Sequence, residues 1–391
     1  MAIIPVTDLV FTAKTALVRC DFNVPLEDGR VTDPARIDAS LATIRYILDH
    51  GGKAVLCSHL GRPKDRTPSL SLKPVAEYLS AALSAKVALA PDCIGDITGR
   101  MITALAPGHA ILLENLRFHP EEEANDRDFA HELARGKAVY VNDAFGCAHR
   151  AHASTVGVTR FIHERAAGML MLAELRALRS LTENPTRPYI AILGGAKVSD
   201  KIGVIENLMP RVDELLIGGA MAYTFLKAEG LTVGRSLVEE GSLAHARDLM
   251  LKAHQRNLKL RLPCDHVVAD KPDADAVARI VSEIPADQMG LDIGPRTVAE
   301  YIEALRQART VVWNGPLGYY ELPAFANGTI KVGEALAHLE GVTSLLGGGD
   351  TAAAFAHQPW ARNFTHISTG GGATLEYLEG KELPGVAALE S

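Results

Sequence analysis

Short apolar, β-branched runs recur along the chain, and each ends in an abrupt change of chemistry before a helical stretch follows. In the first half the runs Ala16–Cys20, Ala54–Cys57, Ala110–Leu113 and Ala138–Val141 give way to Asp21–Asn23, Ser58–Arg62, Glu114–Arg117 and Asn142–Asp143, which are polar and partly cationic. In the second half Tyr189–Leu193, Leu215–Ile217, Val311–Trp313, Ser344–Leu346 and His366–Ile367 lead instead into Gly194–Lys197, Gly218–Gly219, Asn314–Pro316, Gly347–Asp350 and Gly370–Gly372. Alternating strand and helix is the signature of parallel sheets, whose ligands sit beyond the carboxyl ends of the strands. The pattern therefore predicts an α/β protein with two doubly wound, Rossmann-like domains that bind chemically different ligands.

Helix boundaries fit this plan. Thr32-Asp33-Pro34 supplies capping residues and a first-turn proline before a helix that carries Arg36, and Gly51-Gly52 ends it. Thr297 with Glu300 reads as a capping box. The stretch Gly168–Arg179 reads as a connecting helix, followed by Pro185–Pro188. A chain of 391 residues suits two cores. The boundaries predicted are a first domain over 1–168, a hinge helix over 169–184 and a second domain over 185–376.

Composition narrows the classes. Apolar residues are 47% and charged residues 22%, an ordinary globular balance. No apolar run approaches the roughly 18 residues of a membrane span. With a net charge of −7, nucleic acid and anionic membranes are not expected partners, and any anion must be bound by local placement. The N-terminal residues lack a basic region followed by a long apolar stretch, so the expected location is cytoplasmic. The five cysteines, Cys20, Cys57, Cys93, Cys147 and Cys264, are scattered, which suits small buried hydrophobes better than zinc ligands or disulfides.

Arg36, His59, Arg62, Arg117 and Arg150, with His152, fall at or just beyond strand ends. One such arginine means little, but several converging from different strands of one sheet predict a small, multiply negative guest held by bidentate forks. Asp21 and Asn23 would accept from a hydroxyl on that guest, although Asp21 also suits a plain turn. His149 and His152, three residues apart, have metal-ligand spacing without a third ligand and fit a phosphate site better. Glycines at so many second-half strand ends let backbone N–H groups approach phosphate oxygens, although a single Gly-Gly more often marks tight packing. Lys197 and Lys201 would lie on one side of a helix start and reach phosphates. Asp350 is the Mg²⁺ candidate, and Glu321, presented by the turn around Asn314 and Pro316, could reach a ribose. The common nucleotide signatures G-x-x-x-x-G-K-[ST] and G-x-G-x-x-G are missing.

The motifs Val18–Pro25, Ser58–Pro63, Glu114–Phe118, Asn142–Ser154, Gly194–Lys201, Trp313–Pro316, Gly347–Thr351 and Ser368–Gly372 resemble phosphoglycerate kinases along nearly the whole chain. The resemblance implies reversible phosphoryl transfer from 1,3-bisphosphoglycerate to MgADP, giving 3-phosphoglycerate and MgATP in glycolysis, by a monomer whose domains close about a hinge. It implies that Asp21, Phe22, Asn23, Arg36, His59, Leu60, Gly61, Arg62, Arg117 and Arg150 hold the phosphoglycerate. The nucleotide would fall to Gly195, Lys197, Lys201, Gly219, Asn314, Pro316, Glu321, Gly347, Gly348, Gly349, Asp350 and Thr351, with Arg36, Lys197 and Gly371 catalytic and Mg²⁺ at Asp350. Glu174 matches a hinge glutamate, and a tail from about 377 to 391, containing Leu383–Val386, would return to the first domain. Tyr223 and Tyr320 stand where phenylalanine is usual, and Leu172-Ala173 replaces a commonly charged pair. The rivals are another acyl-phosphate kinase, an inactive anion- and nucleotide-binding paralogue, and a dehydrogenase.

Overall fold

Strand-forming runs and helices alternate in the computed structural model, which describes residues 3–390, and they form two parallel sheets in two units. The chain divides between Arg176 and Ala177 and again between Lys381 and Glu382, so the first unit takes both ends of the chain and the second is continuous. The first division lies inside the helix Met169–Thr182.

The first unit's sheet has six strands in the spatial order Ala88–Leu89, Ala110–Leu112, Lys53–Cys57, Thr15–Arg19, Val139–Asn142 and Glu164–Ala167, every pairing parallel. Register does the positioning. Arg19 lies level with Cys57 on one side and Asn142 on the other, so the residues that follow all emerge at one edge of the sheet. Beneath that edge Val18, Leu56, Leu112 and Val141 are fully buried with the helix residues Ile37, Ile44 and Ile47. The terminal segment packs on this unit: Gly385 N–H donates to Ala148 O at 2.8 Å, and Leu389 is fully buried.

The second unit's sheet runs Lys259–Arg261, Glu214–Ile217, Tyr189–Leu193, Thr310–Asn314, Thr343–Gly347 and His366–Ile367, again parallel throughout. Asn314 is level with Leu193 and Gly347, which brings Gly194, Gly315 and Gly348 out together. Its core is more aromatic, with Trp313, Phe355, Trp360 and Phe364 in edge-on and tilted contact. Two parallel, helix-covered sheets are the α/β fold that the pattern predicts.

The sequence reading missed the short strands Ala88–Leu89, Glu164–Ala167 and Lys259–Arg261, which lie at sheet edges and are too polar or too short to stand out. It also missed an antiparallel sheet in which His266–Ala269 pairs with Arg279–Val281 and Met289–Ile293. Three local expectations are corrected. Pro34 is the N-cap of the helix Ala35–Asp49 rather than its first residue, and Asp33 Oδ1 accepts from Ala35 N–H at 3.0 Å. Thr297 does not cap a helix, because it sits inside the helix Pro295–Leu305; the Asp265 carboxylate takes the first-turn amides of Arg296 and Thr297 at 2.9 and 2.8 Å. Lys197 and Lys201 share no helix face, because the helix Ile202–Leu208 begins only after both.

Candidate functional site

Beyond the strand ends of the first unit lies a cavity of about 300 Å³ walled by Arg36, His59, Arg62, Arg117, Arg150 and His152, together with Asp21, Asn23 and Gly61. Several wall residues are fixed by the chain around them. Arg36 Nη1 lies 2.8 Å from Asp21 Oδ2, while Asp21 Oδ1 accepts from Asn23 N–H at 3.2 Å, so the carboxylate anchors both its own turn and the arginine. Asn23 Oδ1 accepts from Gly61 N–H at 2.8 Å, tying the first strand's loop to the second's. Arg117 donates from Nη1 to Gly61 O at 2.7 Å, and its Nε lies 2.9 Å from Glu123 Oε1, an ion pair without hydrogen-bond alignment. Arg62 is exposed, with its charge open to the cavity. Burial, then Arg19 and Arg117, lowers His152 to about 4, and burial with the same arginines holds His59 well below the usual imidazole range. Both rings are neutral at pH 7, so the fixed positive charge belongs to the arginines.

In the second unit a cavity of about 180 Å³ is lined by Gly195, Ala196, Gly219, Pro316, Tyr319, Tyr320, Glu321 and Asp350. Here glycine and alanine bring backbone into the wall. Gly195 N–H donates to Pro316 O at 3.0 Å and Gly219 N–H to Leu317 O at 2.9 Å, so these amides hold loop to loop. The glycines at these two positions serve close approach: Gly195 and Gly219 have φ of +104° and +65°, and a Cβ on Gly219 would come 2.5 Å from Gly195 N. Lys201 is buried and donates to Asn314 Oδ1, whose Nδ2 is buried without a partner. Burial lowers Lys201 to about 8, against nearby Asp200 and Asp350. Thr351 Oγ1 accepts from Gly315 N–H at 2.7 Å. Asp350 is exposed in the first turn of the helix Gly349–Phe355. A single open carboxylate suits Mg²⁺ that completes its shell with phosphate oxygens and water rather than an all-protein cage.

A family model for phosphoglycerate kinase matches residues 6–381. The chain belongs to the phosphoglycerate kinase family. It is 54% identical to the phosphoglycerate kinase of Koribacter versatilis, with 100% of this chain and 99% of the relative covered. Against that of Chlorobium phaeovibrioides it is 54% identical, with 98% of each covered. Among solved structures, phosphoglycerate kinase from Coxiella burnetii is similar with a TM-score of 0.90 at 39% identity, covering 99% of both chains. That from Pyrococcus horikoshii OT3 has a TM-score of 0.87 at 34% identity, covering 99% of this chain and 98% of the other.

Set against the residues that the phosphoglycerate kinase motifs nominate, the structure separates side chains that line a cavity from those that support it. Phe22 and Leu60 face the hydrophobic core, at 0% and 2% exposed; Phe22 N–H donates to Ser58 Oγ at 2.8 Å and Leu60 N–H to Asn115 Oδ1 at 3.1 Å. Lys197, Lys201, Asn314, Gly347, Gly348, Gly349, Thr351 and Gly371 do not line the second cavity; Lys197 is exposed, and Gly371, at φ +51°, caps the helix Gly372–Leu378. His149 lines the first cavity, but no metal-ligating group of described residues contains His149 or His152. Cys147 also lines it, and four of the five cysteines are buried and all are free.

Sequence reasoning missed Arg19, which lines the first cavity although fully buried. Its signal was present, a lone charge inside the apolar run Ala16–Cys20. It missed Gly290 and Leu291 in the second cavity because they come from the unrecognised antiparallel sheet. A Cβ on Gly290 would strike the Tyr223 ring, so the buried tyrosine at a usual phenylalanine position is matched by a glycine above it.

Proposed function

We propose that this chain is a phosphoglycerate kinase, transferring a phosphoryl group reversibly between 1,3-bisphosphoglycerate and MgADP to give 3-phosphoglycerate and MgATP. The observation that carries this reading is the first cavity, where Arg36, Arg62, Arg117 and Arg150 surround about 300 Å³ beside the acceptors Asp21 and Asn23. Arginine forks suit a guest with a phosphate and a carboxylate, and Asp21 with Asn23 suits its hydroxyl. Acetate or carbamate would leave most of those charges unmatched, so a different acyl-phosphate kinase is not favoured.

In this reading the second unit takes the nucleotide. Glu321 serves the ribose, Tyr319 and Tyr320 offer ring surface to a base, and Lys197, Lys201 and Asn314 meet phosphates, with Gly347–Thr351 beside them. Asp350 would hold Mg²⁺, which when bound neutralises phosphate charge. A carboxylate is already nucleophilic and an acyl phosphate carries a good leaving group, so the protein needs no strong base. It must place donor and acceptor in line and stabilise the equatorial oxygens, the work assigned to Arg36, Lys197 and the helix start at Gly371. Because the two ligands belong to separate units, transfer requires those units to approach, and the helix Met169–Thr182, with buried Glu174, is the hinge in this reading. The family's place in glycolysis supports a cytoplasmic enzyme, and a monomer is what the family resemblance leads one to expect; no helix among the described residues is long and apolar enough to cross a membrane.

A coupled assay with purified protein, 3-phosphoglycerate, ATP and Mg²⁺ tests the reading. Formation of 1,3-bisphosphoglycerate is expected. Folded protein that ignores 3-phosphoglycerate but phosphorylates acetate or carbamate would overturn it.

A further inference from the structure

Arg19 is the last residue of its strand and is fully buried, yet it borders the first cavity. Its guanidinium does not reach outward. Nε donates to Ser154 Oγ at 2.8 Å, Nη1 donates to Cys20 O, and Nη2 lies 3.3 Å from His59 Nδ1 and 3.6 Å from Cys147 Sγ. Behind it, Ser154 bridges the guanidinium to a carboxylate: Ser154 Oγ donates to Glu122 Oε1 at 2.5 Å and Ser154 N–H to Glu122 Oε2 at 2.9 Å. Glu122 is itself 1% exposed. A buried arginine and a buried glutamate, joined through one hydroxyl, thus neutralise each other inside the fold. Buried charges persist only with such partners.

The consequence falls on His59. Guanidinium has donors and no acceptor, so the nitrogen facing Arg19 must accept, and in a neutral imidazole the proton is then on the other nitrogen. The second neighbour of Nδ1, the Cys147 thiol at 3.8 Å, also favours that arrangement, because burial pushes it up to about 11 and it stays protonated. Burial and the surrounding arginines keep the ring itself neutral. Among the described residues no hydrogen bond is made by the ring's Nε2, and His59 is a wall of the cavity.

We propose that Arg19, braced through Ser154 by Glu122, is a positioning residue that fixes His59 as the Nε2–H tautomer, so that the ring offers the bound anion a donor and never an acceptor. Arg19 acts through His59 rather than by gripping the ligand, unlike Arg36, Arg62, Arg117 and Arg150. The inference rests on the reading of this cavity as the phosphoglycerate site only for its kinetic consequence; the tautomer is a property of the free protein.

Imidazole ¹⁵N shifts of ligand-free protein at about pH 7 test it. His59 is expected to show an unprotonated Nδ1 and a protonated Nε2 in the wild type. In Arg19→Met both tautomers should appear, and KM for 3-phosphoglycerate should rise about tenfold, the scale of one hydrogen bond to a charged group, while kcat and KM for MgATP stay put. Ser154→Ala keeps the arginine but removes its brace, and should move both readouts in the same direction by less. A wild-type ring protonated on Nδ1 would overturn the proposal. So would a folded Arg19→Met variant whose His59 remains wholly Nε2–H with unchanged KM. If Arg19→Met does not fold, the wild-type spectrum and Ser154→Ala decide, and an unmoved tautomer and KM in Ser154→Ala would remove Glu122 and Ser154 from the proposal. Failure of the coupled assay alone would leave the tautomer result standing, which separates the two claims.

Discussion

The two cavities occupy equivalent places, each beyond the carboxyl ends of a six-stranded parallel sheet, and they are built from opposite materials. The first is made of long charged side chains held by carboxylates and loop carbonyls. The second combines backbone brought close by glycine with two tyrosine rings, and its charged wall residues are the carboxylates Glu321 and Asp350. Fixed guanidinium forks select a guest by the number and position of its negative groups, whereas close backbone selects by shape. A common fold therefore gives two specificities, and what ends each strand decides which.

The largest expected effect comes from removing one fork at the reacting end of the first cavity. Arg36→Ala should lower kcat by about 10³-fold or more, as for other arginines that meet a transferring phosphoryl group, and leave KM for the nucleotide unchanged. A raised KM for 3-phosphoglycerate with normal kcat would reduce Arg36 to a binding group and weaken the contrast.

Gly219→Ala attacks the second cavity's material instead. The substitution meets both a φ of +65° and a Cβ position 2.5 Å from Gly195 N, so it should destabilise the second unit by about 1–3 kcal/mol and raise KM for the nucleotide selectively. Denaturant melting with both KM values checks this; an equal rise for both substrates would break the comparison.

A pH titration sharpens it further. Burial lowers Lys201 from its ordinary 10.5 to about 8, so the folded protein gives up this proton before the unfolded chain does. Between about pH 8 and 10.5 the unfolded chain binds more protons, and this group makes stability rise with pH across that window. Nucleotide binding should move the other way, with KM for the nucleotide climbing as pH passes about 8 and that for 3-phosphoglycerate not following. In Lys201→Met both trends should vanish.

The smallest effect concerns a helix end. Asp265→Ala should cost about 1–2 kcal/mol because Asp265 supplies the cap, whereas Glu300→Ala should stay within about 0.5 kcal/mol. Thermal melts of the two variants distinguish the observed cap from the one that the spacing of Thr297 and Glu300 suggests.

That last case shows what sequence could carry. The central strands were legible because Leu17, Leu56, Ile192 and Val312 are buried on both faces of their sheets and leave continuous apolar runs. The cation set was legible because strand ends of one parallel sheet open together. The Asp265 cap was not, since its carboxylate reaches amides 31 and 32 residues away in the chain. Gly290 was not, because its strand pairs with His266–Ala269 in an antiparallel sheet whose outer strand Arg279–Val281 is only three residues long and largely exposed. Arg19 was hidden for a different reason. Pattern treats an arginine in an apolar run as an interruption, whereas burial with Ser154 and Glu122 makes it part of the site's frame.

The account's central claim, that two cavities of different make hold two different anions, is tested most directly by calorimetric titration of wild type, Arg117→Ala and Gly219→Ala with 3-phosphoglycerate and, separately, with MgADP. The prediction is a crossed pattern: about tenfold weaker 3-phosphoglycerate binding with unchanged MgADP in Arg117→Ala, and the reverse in Gly219→Ala. Competition between the two ligands for one site in the wild type, or loss of both ligands together in a folded Arg117→Ala variant, would contradict it.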